Sequence, residues 1–304
     1  MKRVAITGAT SMIGIALVNQ CIENEVEVLA IVRRKSKHLH RLQKSDLLKI
    51  YECDLDQLDS MEKDDKCCDV FYHLAWDYTI KKDRDNPILQ ETNIKYTLQA
   101  VELARRLGCT KFIGAGSQAE YGKVDSVIGP DTQESPLIAY GMAKCAAGKL
   151  SRKLCEQYGM EYVWARIFSV YGRYDSEETM ISYAISCFLE NKTARFSAAM
   201  QNWDYLSEKD AGKIFYLLGK CAVKSGVYCI AHGKARPLRS FIEEIRAAFP
   251  AGTRCEFAKE EDSKDVIGLQ ADISGLISAI GYTPEITFEE GIKDVIKYKR
   301  QSTL

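Results

Sequence analysis

Apolar positions along the 304-residue chain follow two alternating rhythms. Short apolar runs bounded by polar residues or glycine read as buried strands. Segments whose apolar positions recur every three to four residues read as helices. The runs are Arg3–Thr7, Val26–Val32, Leu48–Cys53, Val70–Leu74, Lys111–Ala115 and Tyr162–Ile167. Between them lie helical segments at Met12–Asn24, at Ile88–Leu107 before Gly108, and at Tyr140–Tyr158 before Gly159. Strands that alternate with helices predict an α/β fold, a doubly wound parallel sheet covered by helices on both faces. After about residue 172 the alternation loosens. Met180–Glu190, Ala211–Lys220, Leu238–Ala248 and Pro284–Tyr298 keep a helical pattern, and Gly226–Ile230 reads as a strand. No Gly/Ser linker separates the halves. The expectation is a nucleotide-binding domain over 1–172 and a smaller mixed α/β subdomain over 173–304, with some segments returning to the main sheet.

Charge removes whole classes of partner. Lys and Arg total 42, as do Asp and Glu, so the chain lacks the net basic surface that nucleic acid or an anionic membrane requires. No apolar run approaches the ~20 residues of a membrane span, and the opening Met1–Gly8 is too short for a signal peptide. The 11 cysteines include no Cys-x-x-Cys pair and only 4 histidines accompany them, which gives no support to a zinc site or a redox dithiol. So many unpaired thiols fit a reducing, cytoplasmic setting.

In a doubly wound sheet, ligands bind beyond the carboxyl ends of the strands, and the chemistry-bearing residues of this chain fall there. Thr7-Gly8-Ala9-Thr10-Ser11-Met12-Ile13-Gly14 joins the first strand to the first helix. Gly8 permits a tight turn and Gly14 close packing of helix on strand, while the helix start offers unpaired N–H groups to a pyrophosphate. Gly8, Thr10, Ser11, Met12 and Ile13 are the expected contacts. Ser11 stands where a central glycine is usual, and its hydroxyl is small enough to leave room and able to donate. The second strand ends in Arg33-Arg34 instead of the acid that would bind a ribose 2′-hydroxyl. Cations there suit a 2′-phosphate, so NADP(H) is favoured over NAD(H). Tyr140 and Lys144, four apart on one helix, share a face. A neighbouring ammonium lowers a phenol's pKa and can also hold a nicotinamide ribose. Ser117, directly after the fifth strand, can hydrogen-bond a substrate carbonyl or carbinol oxygen; Glu120 is either a further polar group of the site or a surface carboxylate.

Together these features resemble the extended short-chain dehydrogenase/reductase family, whose members include sugar-nucleotide epimerases, dehydratases and reductases. The resemblance spans nearly the whole chain and implies a Rossmann-type fold. It places Gly8, Ser11 and Gly14 in the nucleotide loop, Asp54 followed by Leu55 at the adenine, and Leu74, Ala75 and Trp76 beside the cofactor. It makes Asn93 the helix asparagine that supports the site, and Ser117, Tyr140 and Lys144 the catalytic trio. Arg166-Ile167-Phe168-Ser169-Val170-Tyr171-Gly172 is similar to the family's Arg-x-x-Asn-Val-Tyr-Gly, with Ser169 in place of Asn, and Glu290-Gly291-Ile292 to its closing segment. Asn202 or Trp203 stands where relatives carry an arginine for the substrate diphosphate, and Arg195 is near enough in sequence to substitute. Trp76, Tyr78, Ser117, Ser169, Arg195 and Trp203 are the candidate substrate contacts.

The expected reaction is reduction of a 4-keto-6-deoxy sugar nucleotide by NADPH, with Tyr140 as general acid. Gln118-Ala119-Glu120 lacks the acidic pair of a 4,6-dehydratase. The competing readings are an NAD(P)-dependent sugar-nucleotide epimerase and a catalytically silent NADP-binding regulatory protein. The resemblance also implies a homodimer joined through the helices at Ile88–Leu107 and Tyr140–Tyr158.

Overall fold

The computed structural model describes residues 1–61, 66–259 and 268–302. Six of the expected strands form with small shifts of boundary: β1 (Arg3–Thr7), β2 (Glu27–Val32), β3 (Leu48–Glu52), β4 (Val70–His73), β5 (Lys111–Ser117) and β6 (Glu161–Ile167). Helices α1 (Met12–Glu23), α2 (Pro87–Arg106) and α3 (Ala139–Gln157) connect them. Their starts are locally encoded in two cases. The Ser11 hydroxyl accepts the Gly14 N–H at the head of α1, and the Asn86 side chain accepts the Ile88 and Leu89 N–H groups ahead of Pro87 on α2. The third helix has no cap of its own. Its Ala139 N–H is taken by the Asp85 carboxylate at 3.0 Å and its Tyr140 N–H by the Arg84 carbonyl at 2.9 Å, so the loop before α2 caps α3.

The second half adds β7 (Ser169–Tyr171), α4 (Met180–Leu189), β8 (Ala194–Phe196), β9 (Asn202–Trp203), β10 (Tyr205–Ser207), α5 (Glu208–Lys220), β11 (Gly226–Ile230), β12 (Arg236–Pro237), α6 (Leu238–Ala247), β13 (Cys255–Phe257), α7 (Ser274–Ile280) and α8 (Phe288–Ser302). The central sheet has seven strands in the order β11-β6-β5-β4-β1-β2-β3, and every pairing is parallel. β11 therefore returns to the main sheet, while β7 with β10, β9 with β12 and β8 with β13 make small two-stranded ladders outside it.

Because successive strand side chains point to opposite faces, the sheet builds two cores. Val4, Ile6, Val28, Val70, Tyr72 and Ile113 pack with Leu17 and Val18 of α1 and Ile214 and Phe215 of α5. Ala5, Leu29, Phe71, Phe112, Tyr162 and Trp164 pack with Ala100, Val101 and Ala104 of α2 and Ala147 of α3. On that second face Phe71, Phe112, Tyr162 and Trp164 form a near-parallel ladder, with ring centroids 5.9, 6.5 and 6.4 Å apart. A third cluster, including Phe188, Phe241, Phe288 and Ile292, ties α4, α6 and α8 together. All 11 cysteines are free thiols, and no helix of the described residues is long and apolar enough to cross a membrane.

Phe112 is fully buried at the centre of the aromatic ladder. Phe112→Ala is expected to cost about 3–5 kcal/mol of stability and Phe112→Leu distinctly less, read from urea unfolding midpoints. A loss below about 1 kcal/mol for the alanine variant would contradict this account of the core.

Candidate active site

A cleft of about 1420 Å³ runs along the carboxyl ends of β1, β2, β4 and β5 and continues toward β7 and β9. Gly8 forms its floor with φ of +73°, and a side chain there would lie 2.7 Å from the Ala75 nitrogen. At Gly14 a β-carbon would lie 2.1 Å from the Gly8 carbonyl oxygen, so both glycines are required by close backbone approach. Ser11 caps its own helix through the Gly14 N–H at 3.0 Å, and its hydroxyl hydrogen stays available. The Met12 and Ile13 N–H groups are in the first turn, where a helix has no internal acceptors. Glycine floor and open helix N-terminus together fit a dinucleotide pyrophosphate.

Most of the expected contacts line this cleft. Gly8, Thr10, Ser11, Met12, Arg33, Asp54, Leu55, Leu74, Ala75 and Trp76 lie along one half, and Ser117, Tyr140, Lys144, Ser169 and Trp203 along the other, with Tyr78. Four expected contacts are placed elsewhere. Ile13 and Arg34 do not line the cleft, and the Arg34 N–H instead donates to the Asp54 carboxylate at 3.1 Å. Asn93 is buried, and its amide accepts from the Asp77 N–H and donates to the Asp77 carbonyl, so it fixes the loop after β4 without reaching the cavity. Arg195 faces solvent on β8 and pairs with Glu256 across the β8–β13 ladder.

The catalytic candidates converge. Ser117 ends β5, and its side chain is near enough to the Tyr140 phenol to favour the ionised form. The Lys144 ammonium donates to the Ala115 carbonyl at 2.6 Å and lies 3.6 Å from the centroid of the Trp76 ring. Burial lowers the Lys144 pKa to about 7, opposed by Glu120 and assisted by Arg84. Burial also raises the Tyr140 phenol above its ordinary value, opposed by Ser117 and by the charge of Arg84. Two cations lie against this phenol, Arg84 at 4.2 Å from the Tyr140 ring centroid and Lys144 at 5.8 Å. His73 is no base for this site. It is buried beneath the cleft between Thr7 and Thr97, and burial lowers its pKa to about 3.

Glu120 resolves as a buried organiser. It has no exposed surface. Its carboxylate accepts the Ser117 N–H at 2.7 Å, the Trp164 indole N–H at 3.0 Å and the Arg166 Nε–H at 2.7 Å. Arg166 reaches on to Glu134, which Lys149 pairs from α3 at 2.6 Å. Glu120, Glu134 and the Cys145 thiol are close enough to hold a metal ion, but with Arg166 in the same pocket the carboxylates already have a positive partner.

Sequence reasoning missed several cleft residues. Arg84 sits inside the mixed-charge run 81–85, which carries no ligand signature, and His38 and Arg41 lie beyond the Arg33-Arg34 pair in the cationic run 33–41. Asp175 lines the substrate half with its carboxyl raised to about 6 by burial. Gln201 stands beside the expected Trp203, and each brings a buried polar atom with no hydrogen-bond partner, Oε1 and Nε1.

A family model described as "NAD dependent epimerase/dehydratase family" matches residues 4–231. The UDP-glucuronate 4-epimerase of Thermodesulfobacterium geofontis is 24% identical, over 89% of this chain and 85% of that protein. Among solved structures, the UDP-N-acetylglucosamine 4-epimerase from Methanobrevibacter ruminantium, in complex with UDP-N-acetylmuramic acid, superposes with a TM-score of 0.88 at 24% identity, covering 99% of both chains. The UDP-glucuronic acid 4-epimerase from Bacillus cereus, in complex with NAD, superposes with a TM-score of 0.83 at 20% identity, over 98% of this chain and 99% of that one.

Glu120→Ala leaves Arg166 in the core without its main partner, and the expected cost is about 3–5 kcal/mol of stability in chemical unfolding. A variant as stable as the parent would show that the pair does not hold the site together.

Proposed function

Because the chain belongs to the NAD dependent epimerase/dehydratase family, enzymes of the extended short-chain dehydrogenase/reductase type, we propose that it is an NADPH-dependent reductase of a keto sugar nucleotide. The 4-keto-6-deoxy class is the expected substrate. The observation that carries this reading is the cationic end of β2. Arg33, His38 and Arg41 line the cleft there, with Ser36 between them, and β2 ends in Val32 with no acid following it. Burial and, after it, the surrounding charges of Arg41, His40, Arg33 and Lys37 hold the His38 imidazole below its ordinary pKa. Such a rim suits a 2′-phosphate.

NADP(H) would lie with its pyrophosphate on the Gly8–Ile13 turn and supplies the hydride when bound. The chain's own residues do the rest. Ser117 and Tyr140 hold the substrate oxygen between two hydroxyls. Tyr140 keeps the proton that this oxygen takes up, and burial, by raising its pKa, keeps the phenol protonated in the reducing direction. Lys144, held by the Ala115 carbonyl and the Trp76 ring, is the donor for a ribose hydroxyl. Trp76, Tyr78, Ser169, Gln201 and Trp203 are the surfaces left for the sugar nucleotide.

A second reading, sugar-nucleotide 4-epimerisation, is favoured by the names of the relatives. The two differ in stoichiometry: a reductase consumes one NADPH per turnover, an epimerase none. The same reading extends to assembly as a homodimer, since Ile88 on α2 and Met142 and Leu150 on α3 are exposed apolar side chains on the helix pair. Light scattering at micromolar concentration tests it, and a monomer refutes it.

NADPH is expected to bind at least ~10-fold more tightly than NADH in a nicotinamide-fluorescence titration, and Arg33→Ala to remove most of that preference. Co-purified NAD(H) with no net consumption on turnover would instead establish the epimerase. Tyr140→Phe is expected to lower kcat by about 10²–10⁴-fold; full activity in that variant would remove Tyr140 from the mechanism.

A further inference from the structure

The loop between β4 and α2 carries a cation that the reaction as described leaves unused. The Arg84 guanidinium lies on the Tyr140 ring, 4.2 Å from its centroid, and lines the cleft. Its Nε is buried without a hydrogen-bond partner, and no carboxylate among the described residues forms an ion pair with it. The Asp85 carboxylate beside it is turned to the Ala139 N–H. The charge is thus not neutralised locally, although aspartates flank it in sequence.

Its position is fixed by the backbone. The Arg84 carbonyl accepts the Tyr140 N–H, so the residue that presents the guanidinium also caps the turn that presents the phenol. On the far side Gln90 locks the same loop, accepting from the Trp76 indole and donating to the Tyr78 and Asp83 carbonyls. Replacing the Arg84 side chain leaves every one of these bonds in place.

We propose that Arg84 is a positioning residue for Tyr140, holding the ring by cation–π contact and supplying the fixed positive charge that tunes its acidity. The proposal rests on the reading of Tyr140 as the acid–base group. Five side chains face that phenol. Arg84 and Trp76 come from the loop before α2, Ser117 and Glu120 from the end of β5 and its following turn, and Lys144 from α3 itself. Of the two cations, Lys144 is farther from the ring, is committed to the Ala115 carbonyl, and sits in surroundings that draw its proton affinity down to neutrality. A guanidinium stays charged at every working pH. Arg84 therefore sets a permanent positive charge against the ring of a phenol that burial holds protonated.

The test replaces Tyr140 with 3-fluorotyrosine in the full chain and follows the fluorine resonance against pH, in the parent and in Arg84→Gln, Arg84→Met and Arg84→Lys backgrounds. The uncharged variants are expected to move the phenol's midpoint upward by about one pH unit or more, and Arg84→Lys to recover part of it. The pH profile of kcat in the unlabelled variants is expected to move the same way. An unchanged midpoint in Arg84→Gln and Arg84→Met overturns the proposal. A fluorine shift displaced from that of the urea-denatured chain shows that each variant is folded, and of the two uncharged variants Arg84→Met keeps the apolar stem against the ring. Turnover by Tyr140→Phe would overturn the acid–base reading instead, and the fluorine midpoint would still judge the charge effect separately.

Discussion

The site is organised around one carboxylate that never meets water. Glu120 stands at the end of β5 with its charge balanced by Arg166 of β6, and burying such a pair is favourable only when every remaining lone pair and proton is met. Here the Ser117 N–H, the Trp164 indole and the Arg166 guanidinium supply the donors. The same bonds join the strand end that carries Ser117 to the strand beside it. Glu134 and Lys149 extend the chain of charges to α3, the helix of Tyr140 and Lys144. The hydroxyl on β5 and the phenol and ammonium on α3 are therefore set on two elements that this chain of charges ties together through β6, behind the cleft.

In front of that network the cleft balances charge differently. Lys144 has no carboxylate partner among the described residues; its ammonium rests on an aromatic face and one carbonyl. Such a group is bound weakly enough to exchange its partners and is sensitive to burial, which is why its pKa falls. Tyr140 responds to the same dryness in the opposite sense, because the charged form of a phenol is the anion. An acid and a base with opposite responses to one environment are driven apart by desolvation: the phenol holds its proton more tightly and the ammonium gives its proton up more readily. The residual task, holding a cation near the phenol without surrendering it to a carboxylate, falls to the loop that caps α3.

How much of this was legible in the residues depended on whether the determining partners were near in sequence. Short apolar runs, the Gly8–Gly14 turn and the Tyr140–Lys144 spacing are local patterns, and the fold and most of the cleft lining could be read from them. The start of α3 could not, because its caps come from Arg84 and Asp85, more than fifty residues earlier. The small ladders of β7 with β10 and β8 with β13 were missed because two- and three-residue strands carry no periodicity. Arg195 was misjudged for that reason: its ladder turns it to Glu256 and solvent. Asn93 was placed in the right network at the wrong depth, since a buried amide with both ends satisfied by one backbone segment looks in sequence like any polar residue on a helix.

The same distinction separates the two halves of the cleft. The half around Gly8 is assembled from consecutive residues at a few strand ends, so a short stretch of chain suffices to specify it. The other half is built from β7, the head of α4 and the β9–β10 strands, each contributing one or two side chains. Trp203 shows the consequence. Where the family's arginine was looked for stands an indole on β9, paired in register with Arg236 of β12. That arginine is not free to take over, because it reaches Glu244 and lies 3.9 Å from the centroid of the Phe241 ring, inside the third core cluster. The indole N–H and the Gln201 carbonyl oxygen are left unpaired in the cleft wall. On the β9 side the wall therefore presents one unpaired donor and one unpaired acceptor on an aromatic surface.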